Sequence, residues 1–205
     1  MKVQETFSQT VQGEGFWAGL PVDFIRLYGC PVGCEWCDTG YAAAEGFGKT
    51  LPHSSRSIAD LVSELKSPAV VVSGGEPLIH KQLPELCTAI LRAGKRCHVE
   101  TSGSVAAALP MGTWLTLSPK DHVTGCGVTD SASAFADEIK IVITDGSELR
   151  HYEDLLGFAE ENEKPIFLQP EWEQRGKTVP LVLRLLKENP TYRLSLQTHK
   201  MIGVQ

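Results

Sequence analysis

The sequence predicts an α/β fold built on a mostly parallel sheet, and three observations carry that prediction. Short apolar runs of strand length alternate with stretches whose apolar residues recur at helical spacing. Ala69–Val72 is apolar at every position, as expected of a strand covered on both faces. Polar residues break the rhythm repeatedly, each time just after a strand-like run. Such a β-α-β-α order gives parallel strands joined by right-handed crossovers. The rhythm alone does not separate an open sheet from a partial barrel.

Val22–Leu27 is the first predicted strand and stops just before Cys30. The polar, glycine-rich stretch from Thr39 to Ser55 reads as loop. Ser57 caps a helix whose Ile58, Leu61, Val62 and Leu65 share one face. After the strand Ala69–Val72, a second helix carries Leu83, Leu86, Cys87, Ile90 and Leu91, and Gly94 ends it. Strands follow at Lys95–Glu100, Trp114–Leu117, Glu138–Ile143 and Ile166–Gln169. Helices near Glu148–Glu161 and Pro180–Lys187 flank the last of these strands, and Arg193–Gln197 closes the series. Neither linker nor repeat divides the chain, so residues 1–205 are expected to form a single domain able to bury a full core.

Composition narrows the function. Hydrophobic residues are 42% and charged ones 21%, as in an ordinary soluble protein. A net charge of −6 without a basic cluster argues against a nucleic-acid partner. No apolar stretch follows Met1-Lys2-Val3-Gln4-Glu5 to make a signal peptide. The longest aliphatic run, Ala69–Val72, is far too short to cross a membrane. A reducing cytoplasm is the expected compartment.

The chemistry concentrates where polar residues follow strands. Ser73-Gly74-Gly75-Glu76-Pro77, Glu100-Thr101-Ser102-Gly103, Ser118-Pro119-Lys120, Lys140 and Gln169-Pro170 all lie in or after successive strands. Parallel α/β folds bind ligands at the carboxyl ends of their strands, so these clusters converge on one site. A tight turn would explain the two glycines but not the repetition.

Before that site comes Cys30-Pro-Val-Gly-Cys34-Glu-Trp-Cys37, a C-x3-C-x2-C run. Four thiolates close a 4Fe–4S cluster; three leave one iron open for catalysis. Structural zinc is the alternative, and it needs a fourth Cys or His at matching spacing. Cys87, Cys97 and Cys126 lack such a neighbour and read as small buried hydrophobes, with no role assigned. A disulfide framework does not suit this chain.

The cysteine run resembles the signature of the radical S-adenosylmethionine (SAM) enzymes, in which SAM chelates the open iron. Gly74-Gly75-Glu76-Pro77 looks like the second motif of that superfamily, whose backbone approaches the ammonium of SAM. The resemblance implies that Cys30, Cys34 and Cys37 hold a 4Fe–4S cluster and that Trp36 lies beside the adenine, with Asp38 next to it. It further implies that Glu100 binds the ribose and that Ser118, Pro119, Lys120 and Gln169 complete the SAM pocket. The implied fold is an abbreviated partial barrel, a mostly parallel six-stranded sheet with fewer helices than a full (βα)6.

Within that superfamily the chain is similar to the 7-carboxy-7-deazaguanine synthases. The likeness runs through Thr10–Gly15, Phe24–Leu27, Cys30–Thr39, Gly74–Pro77, Glu100–Gly103, Ser118–Lys120 and Gln197-Thr198-His199-Lys200. It implies ring contraction of 6-carboxy-5,6,7,8-tetrahydropterin to 7-carboxy-7-deazaguanine with loss of ammonia, on the route to queuosine. SAM is then regenerated rather than consumed. Val11, Gln12, Gly13 and Glu14 would meet the guanine-like edge of the pterin, and Arg26 its carboxylate. Ser73, His199 and the terminal carboxylate of Gln205 complete the implied substrate contacts. Thr39 would bind Mg²⁺, an ion that prefers oxygen ligands. A homodimer and a flavodoxin-type electron donor are implied as well. A small glycyl-radical activase would share the cysteine and glycine motifs, but would leave Thr39, Arg26 and His199 unexplained. An electron carrier or zinc module would need four protein ligands.

Overall fold

The computed structural model describes residues 1–42 and 46–204. Its framework is one mixed sheet in the order β3-β1-β2-β4-β5-β6-β7-β8-β9. The strands are β1 (Lys2–Val11), β2 (Pro21–Leu27), β3 (Ser54–Ser55), β4 (Ala69–Gly74), β5 (Arg96–Thr101), β6 (Thr113–Leu117), β7 (Glu138–Ile143), β8 (Ile166–Pro170) and β9 (Arg193–Leu194). Neighbours from β2 to β9 pair parallel, whereas β1 pairs antiparallel with both β2 and β3.

The expected six-stranded sheet is therefore corrected to nine strands among the described residues. The additions are two antiparallel strands at one edge; at the other, the expected closing segment Arg193–Gln197 forms a parallel strand of two residues, Arg193–Leu194. β1 escapes sequence reading because only Val3 of its ten residues is buried. Beyond Val3 it has no strand on its outer side among the described residues, and a strand at a sheet edge carries little apolar pattern. Its register also breaks around Gln9, whose φ of 60° is left-handed.

The helices are α1 (Ile58–Ser63), α2 (Leu83–Arg92), α3 (Asp121–Thr124), α4 (Asp130–Phe135), α5 (Glu148–His151), α6 (Glu153–Glu161), α7 (Arg175–Glu188) and α8 (Thr198–Ile202). Ser57 caps α1 as expected, accepting from Asp60 N. The crossover from β5 to β6 carries no helix. The expected helix near Glu148–Glu161 is two helices meeting at Tyr152. α7 starts five residues before Pro180 and runs through it, losing one intrahelical bond there. Its start is fixed by Glu171, whose carboxylate accepts Glu173 N at 2.9 Å and Gln174 N at 2.8 Å.

Side chains alternate across each strand. One face, with Val70, Val72, Val99, Leu115, Leu117, Ile139, Ile141 and Leu168, packs under the helices as the main core. Cys87 and Cys97 are buried in it, as expected. Cys126 is not buried; it is half-exposed, its thiol 4.0 Å from Pro31 O beside the cysteine run.

The opposite face is layered. At the floor, Val22, Ala69 and Val71 pack with Trp17, Leu20 and Phe24. Above them sits a buried polar row, in which His98 Nε2 lies 2.6 Å from Thr116 Oγ1 and that hydroxyl donates to Glu138 at 2.5 Å. The charged residues of the site form the next layer, at the carboxyl ends of the strands.

Candidate active site

The strand ends open into a cavity of about 710 Å³, and Cys30, Cys34 and Cys37 all line it. The loop carrying them leaves β2 and is held by the end of β4. Gly75 N donates to Leu27 O at 3.0 Å and Glu76 N to Gly29 O at 2.8 Å. A Cβ on Gly75 would stand 2.0 Å from Gly29 O and 2.8 Å from Cys30 Cβ. On Gly74, whose φ is +138°, it would stand 2.1 Å from Leu27 O. The paired glycines are thus needed because the backbone entering the cysteine loop occupies their side-chain positions. Glu76 does not line the cavity. It ties β4 to β5, accepting Thr101 Oγ1 at 2.6 Å, Ser102 N at 2.8 Å and Ser102 Oγ at 2.5 Å.

The three thiols are unpaired and half-exposed to the cavity. Burial pushes Cys34 up to about 11 and raises Cys30, against the opposing pull of Lys120 on Cys34 and of nearby backbone N–H groups on Cys30. Tyr41 N donates to Cys37 Sγ at 3.4 Å. Among the described residues, no three Cys, His, Asp or Glu side chains converge on a single metal ion. A cubane cluster takes each thiolate at a different iron and does not require that convergence. The donor set fits such a cluster: three thiols, no fourth cysteine ligand, and open space beyond them. Beside them, Trp36 Nε1 is buried without a partner and the Trp36 ring lies 5.3 Å from Lys120 Nζ.

Glu100, Ser118, Lys120 and Gln169 line the same cavity. Lys120 donates to Ser118 O at 2.8 Å and Ser118 Oγ at 2.6 Å, and burial lowers it to about 8. Ser195 Oγ donates to Gln169 at 2.8 Å. Pro119 is not among the lining residues; it is buried between Ser118 and Lys120.

The other half of the cavity is built by the segment after β1 and by α8. Val11, Gln12, Glu14, Arg26, Ser73 and His199 line it. Gly13 lies behind the lining: its carbonyl accepts Thr198 N and Thr198 Oγ1, each at 3.1 Å, and a Cβ there would strike His199. Gly13 therefore admits α8 rather than facing the cavity. Gln12 Nε2 donates to Glu100 at 2.9 Å, and Gln197 Nε2 donates to Glu14 at 2.8 Å. Arg26 gives its Nε to Glu5 at 2.7 Å. Asp38 and Thr39 also line the cavity, with Thr39 Oγ1 3.3 Å from Asp38 Oδ1. Gln205 lies outside the described residues.

Sequence reading placed Lys140 among the converging polar positions without giving it a role, and it missed several other lining residues. Lys140, 4% exposed, pairs with Glu14 and lies 3.7 Å from Glu100. Phe7 and Phe24 stack at 4.8 Å between ring centroids, and Trp172 faces Lys200 at 5.4 Å. Lys200 reaches Asp38 Oδ2 at 2.8 Å, joining α8 to the cysteine loop. Lys140 had a readable signal. It alternates with Ile139 and Ile141 in a parallel strand, so its side chain must point away from the helices.

Sheet topology, an open three-cysteine loop and a ligand-sized cavity at the strand ends together define a radical SAM enzyme. The Radical SAM superfamily model matches residues 24–119. That superfamily works with a 4Fe–4S cluster and SAM. A 7-carboxy-7-deazaguanine synthase of Synechocystis sp. is 34% identical over 99% of this chain and 93% of the relative. The protein of that name from Escherichia coli K12 is 33% identical over 98% of each chain. The crystal structure of QueE from Escherichia coli superposes with a TM-score of 0.81 at 32% identity, covering 95% of this chain and 92% of that one. Streptococcus suis SuiB bound to S-adenosylmethionine, at 12% identity and a TM-score of 0.53 over 84% of this chain and 46% of that one, shares the fold alone. The chain belongs to the 7-carboxy-7-deazaguanine synthase family.

Proposed function

We propose that this radical SAM lyase converts 6-carboxy-5,6,7,8-tetrahydropterin to 7-carboxy-7-deazaguanine with loss of ammonia, on the route to queuosine. One observation carries the reading. The Gln12–Glu14 segment and α8 close the same cavity that the three-cysteine loop enters. A ligand is thereby gripped from one side while a cluster and SAM occupy the other.

Cys30, Cys34 and Cys37 would hold the 4Fe–4S cluster. When bound, the cluster and SAM supply the one-electron chemistry that makes a carbon radical. The chain supplies position and shelter. Trp36 would flank the adenine, the Gly74-Gly75 backbone would meet the SAM ammonium, and Glu100 would take the ribose. Asp38, Ser118, Lys120 and Gln169 would frame the rest of that pocket. Glu14, its carboxylate fixed by Lys140 and Gln197, accepts the parallel donors of the pterin beside Val11 and Gln12. Arg26, anchored through its Nε to Glu5, would offer its planar fork to the substrate carboxylate. Ser73 and His199 add polar contacts. Thr39 Oγ1, with Asp38 alongside, would hold a Mg²⁺, whose charge would be supplied to the substrate carboxylate. Phe7, Phe24 and Trp172 exclude water around the flat heterocycle.

The whole chain acts as one domain, in keeping with a sheet that runs from β3 to β9 without a break. No described helix is long and apolar enough to cross a membrane. A homodimer, a flavodoxin-type reductant and a cytoplasmic setting belong to this reading by family resemblance.

Anaerobic turnover of cluster-loaded protein with SAM, reductant, Mg²⁺ and the pterin tests it by mass spectrometry. Formation of 7-carboxy-7-deazaguanine without matching loss of SAM is expected. Reductive cleavage of SAM without that product would reject the substrate.

A further inference from the structure

Lys140 joins the two halves of the cavity. Its side chain, 5% exposed, extends from the middle of β7 toward the strand-end layer. On one side its ammonium pairs with Glu14, and on the other it lies 3.7 Å from Glu100. Gln197 holds the far oxygen of Glu14 at 2.8 Å, and Gln12 holds the near oxygen of Glu100 at 2.9 Å. One ammonium therefore sits in a continuous bridge from α8 to β5. Without it, two carboxylates would share a buried space in which like charges resist ionising together.

We infer that Lys140 is a positioning residue that keeps Glu14 and Glu100 ionised and in place, so that loading of the SAM half and the substrate half depends on one shared cation. This rests on the proposed assignment of Glu100 to SAM and Glu14 to the pterin. A proton-shuttling role does not fit. Burial alone would lower Lys140, but Glu100 and Glu14 overcome it and leave its pKa raised. Burial alone would raise Glu14, but Lys140 drives it down to about 2. Both partners thus stay charged at any working pH.

The other titratable groups facing this pair are Lys120 across the cavity, His199 on α8, Glu138 lower on β7, and His98 on β5, which burial lowers to about 4 and so keeps neutral over the range tested. None replaces the ammonium. Lys120 is committed to Ser118, burial keeps His199 low, and Glu138 carries the wrong sign.

The test measures SAM and pterin binding to cluster-loaded protein between about pH 5 and pH 8, for the native chain, Lys140→Met and Lys140→Arg. Relative to the native chain, Lys140→Met should bind both ligands more weakly and gain an acid limb. Below the new pKa its affinity should fall about tenfold per pH unit, as Glu14 returns to the ordinary carboxylate range or above. Lys140→Arg should show no new limb. Adding Glu14→Gln to Lys140→Met should abolish it. Native affinity with an unchanged profile in Lys140→Met would overturn the inference, as would a limb that survives Glu14→Gln. If Lys140→Met does not fold, the double variant, which buries no unpaired Glu14 carboxylate, should fold; its failure would equally overturn the inference. Failure of the substrate assignment looks different, because the native chain would then not bind the pterin while the limb in SAM binding persisted.

Discussion

Replacing Gly75 with alanine should prevent the protein from holding its cluster, through a single steric conflict. The added methyl would sit 2.0 Å from Gly29 O, whereas ordinary contact begins at 3.4 Å. The cysteine loop would have to retreat by about 1.4 Å, and Cys30 Cβ, only 2.8 Å away, would move with it. That shift also breaks the 2.8 Å bond from Glu76 N to Gly29 O. Overpacking costs about 1–3 kcal/mol and a lost backbone bond about 1 kcal/mol, so apo-protein stability should drop by roughly 2–4 kcal/mol. Urea unfolding of the apo chain reads the stability, and iron and sulfide content after reconstitution reads the loop. The two should fall together. Gly75→Ala protein with native stability and a full cluster complement would refute the steric account.

Other perturbations probe separate layers. Asp23, 1% exposed, accepts from Gln9 N, Lys66 N, Ser67 N and Ser67 Oγ. Asp23→Asn sets an amide N–H against such donors and should cost about 3 kcal/mol in urea unfolding at pH 7; a loss too small to resolve would sink the assignment. Burial holds His98 at about 4, below the ordinary value near 6.5, so between those values the unfolded chain binds the extra proton. Stability should therefore fall as pH drops from about 6.5 toward 4, and less steeply in His98→Phe; equal slopes would show that His98 is not responsible. Thr39→Ala should weaken Mg²⁺ stimulation of turnover far more than SAM binding, and equal loss of both would remove Thr39 from the metal site.

The parallel strands were legible because each combines an apolar run with a polar break at its carboxyl end. Predicted Val22–Leu27 and observed Pro21–Leu27 differ by one residue. β1 was hidden because an edge strand contacts the core through Val3 alone. α7 was misplaced because proline usually opens a helix, and the true opening depends on Glu171, a residue outside it. The cysteine and glycine motifs marked the cavity, yet the same reasoning placed Gly13 and Pro119 at its surface. Sequence distance conceals which neighbour a glycine serves: Gly13 yields to His199, and Gly75 to Gly29. Lys140 went unassigned because its partners, Glu14 and Glu100, come from distant parts of the chain.

The docking of α8 against Gly13, through bonds that span 185 residues of sequence, also bears on how the enzyme is made. Closing so long a loop is entropically costly and comes late, after nearer contacts are in place. Strands β2, β4, β5 and β6 need nothing beyond residue 117 to pair with one another, and Gly75 and Glu76 already hold the start of the cysteine loop. A nascent chain can therefore arrange its three thiols while α8 is still unmade, with that side of the cavity open to incoming iron and sulfide. The α8 side closes last, which separates the maturation of the enzyme from its use.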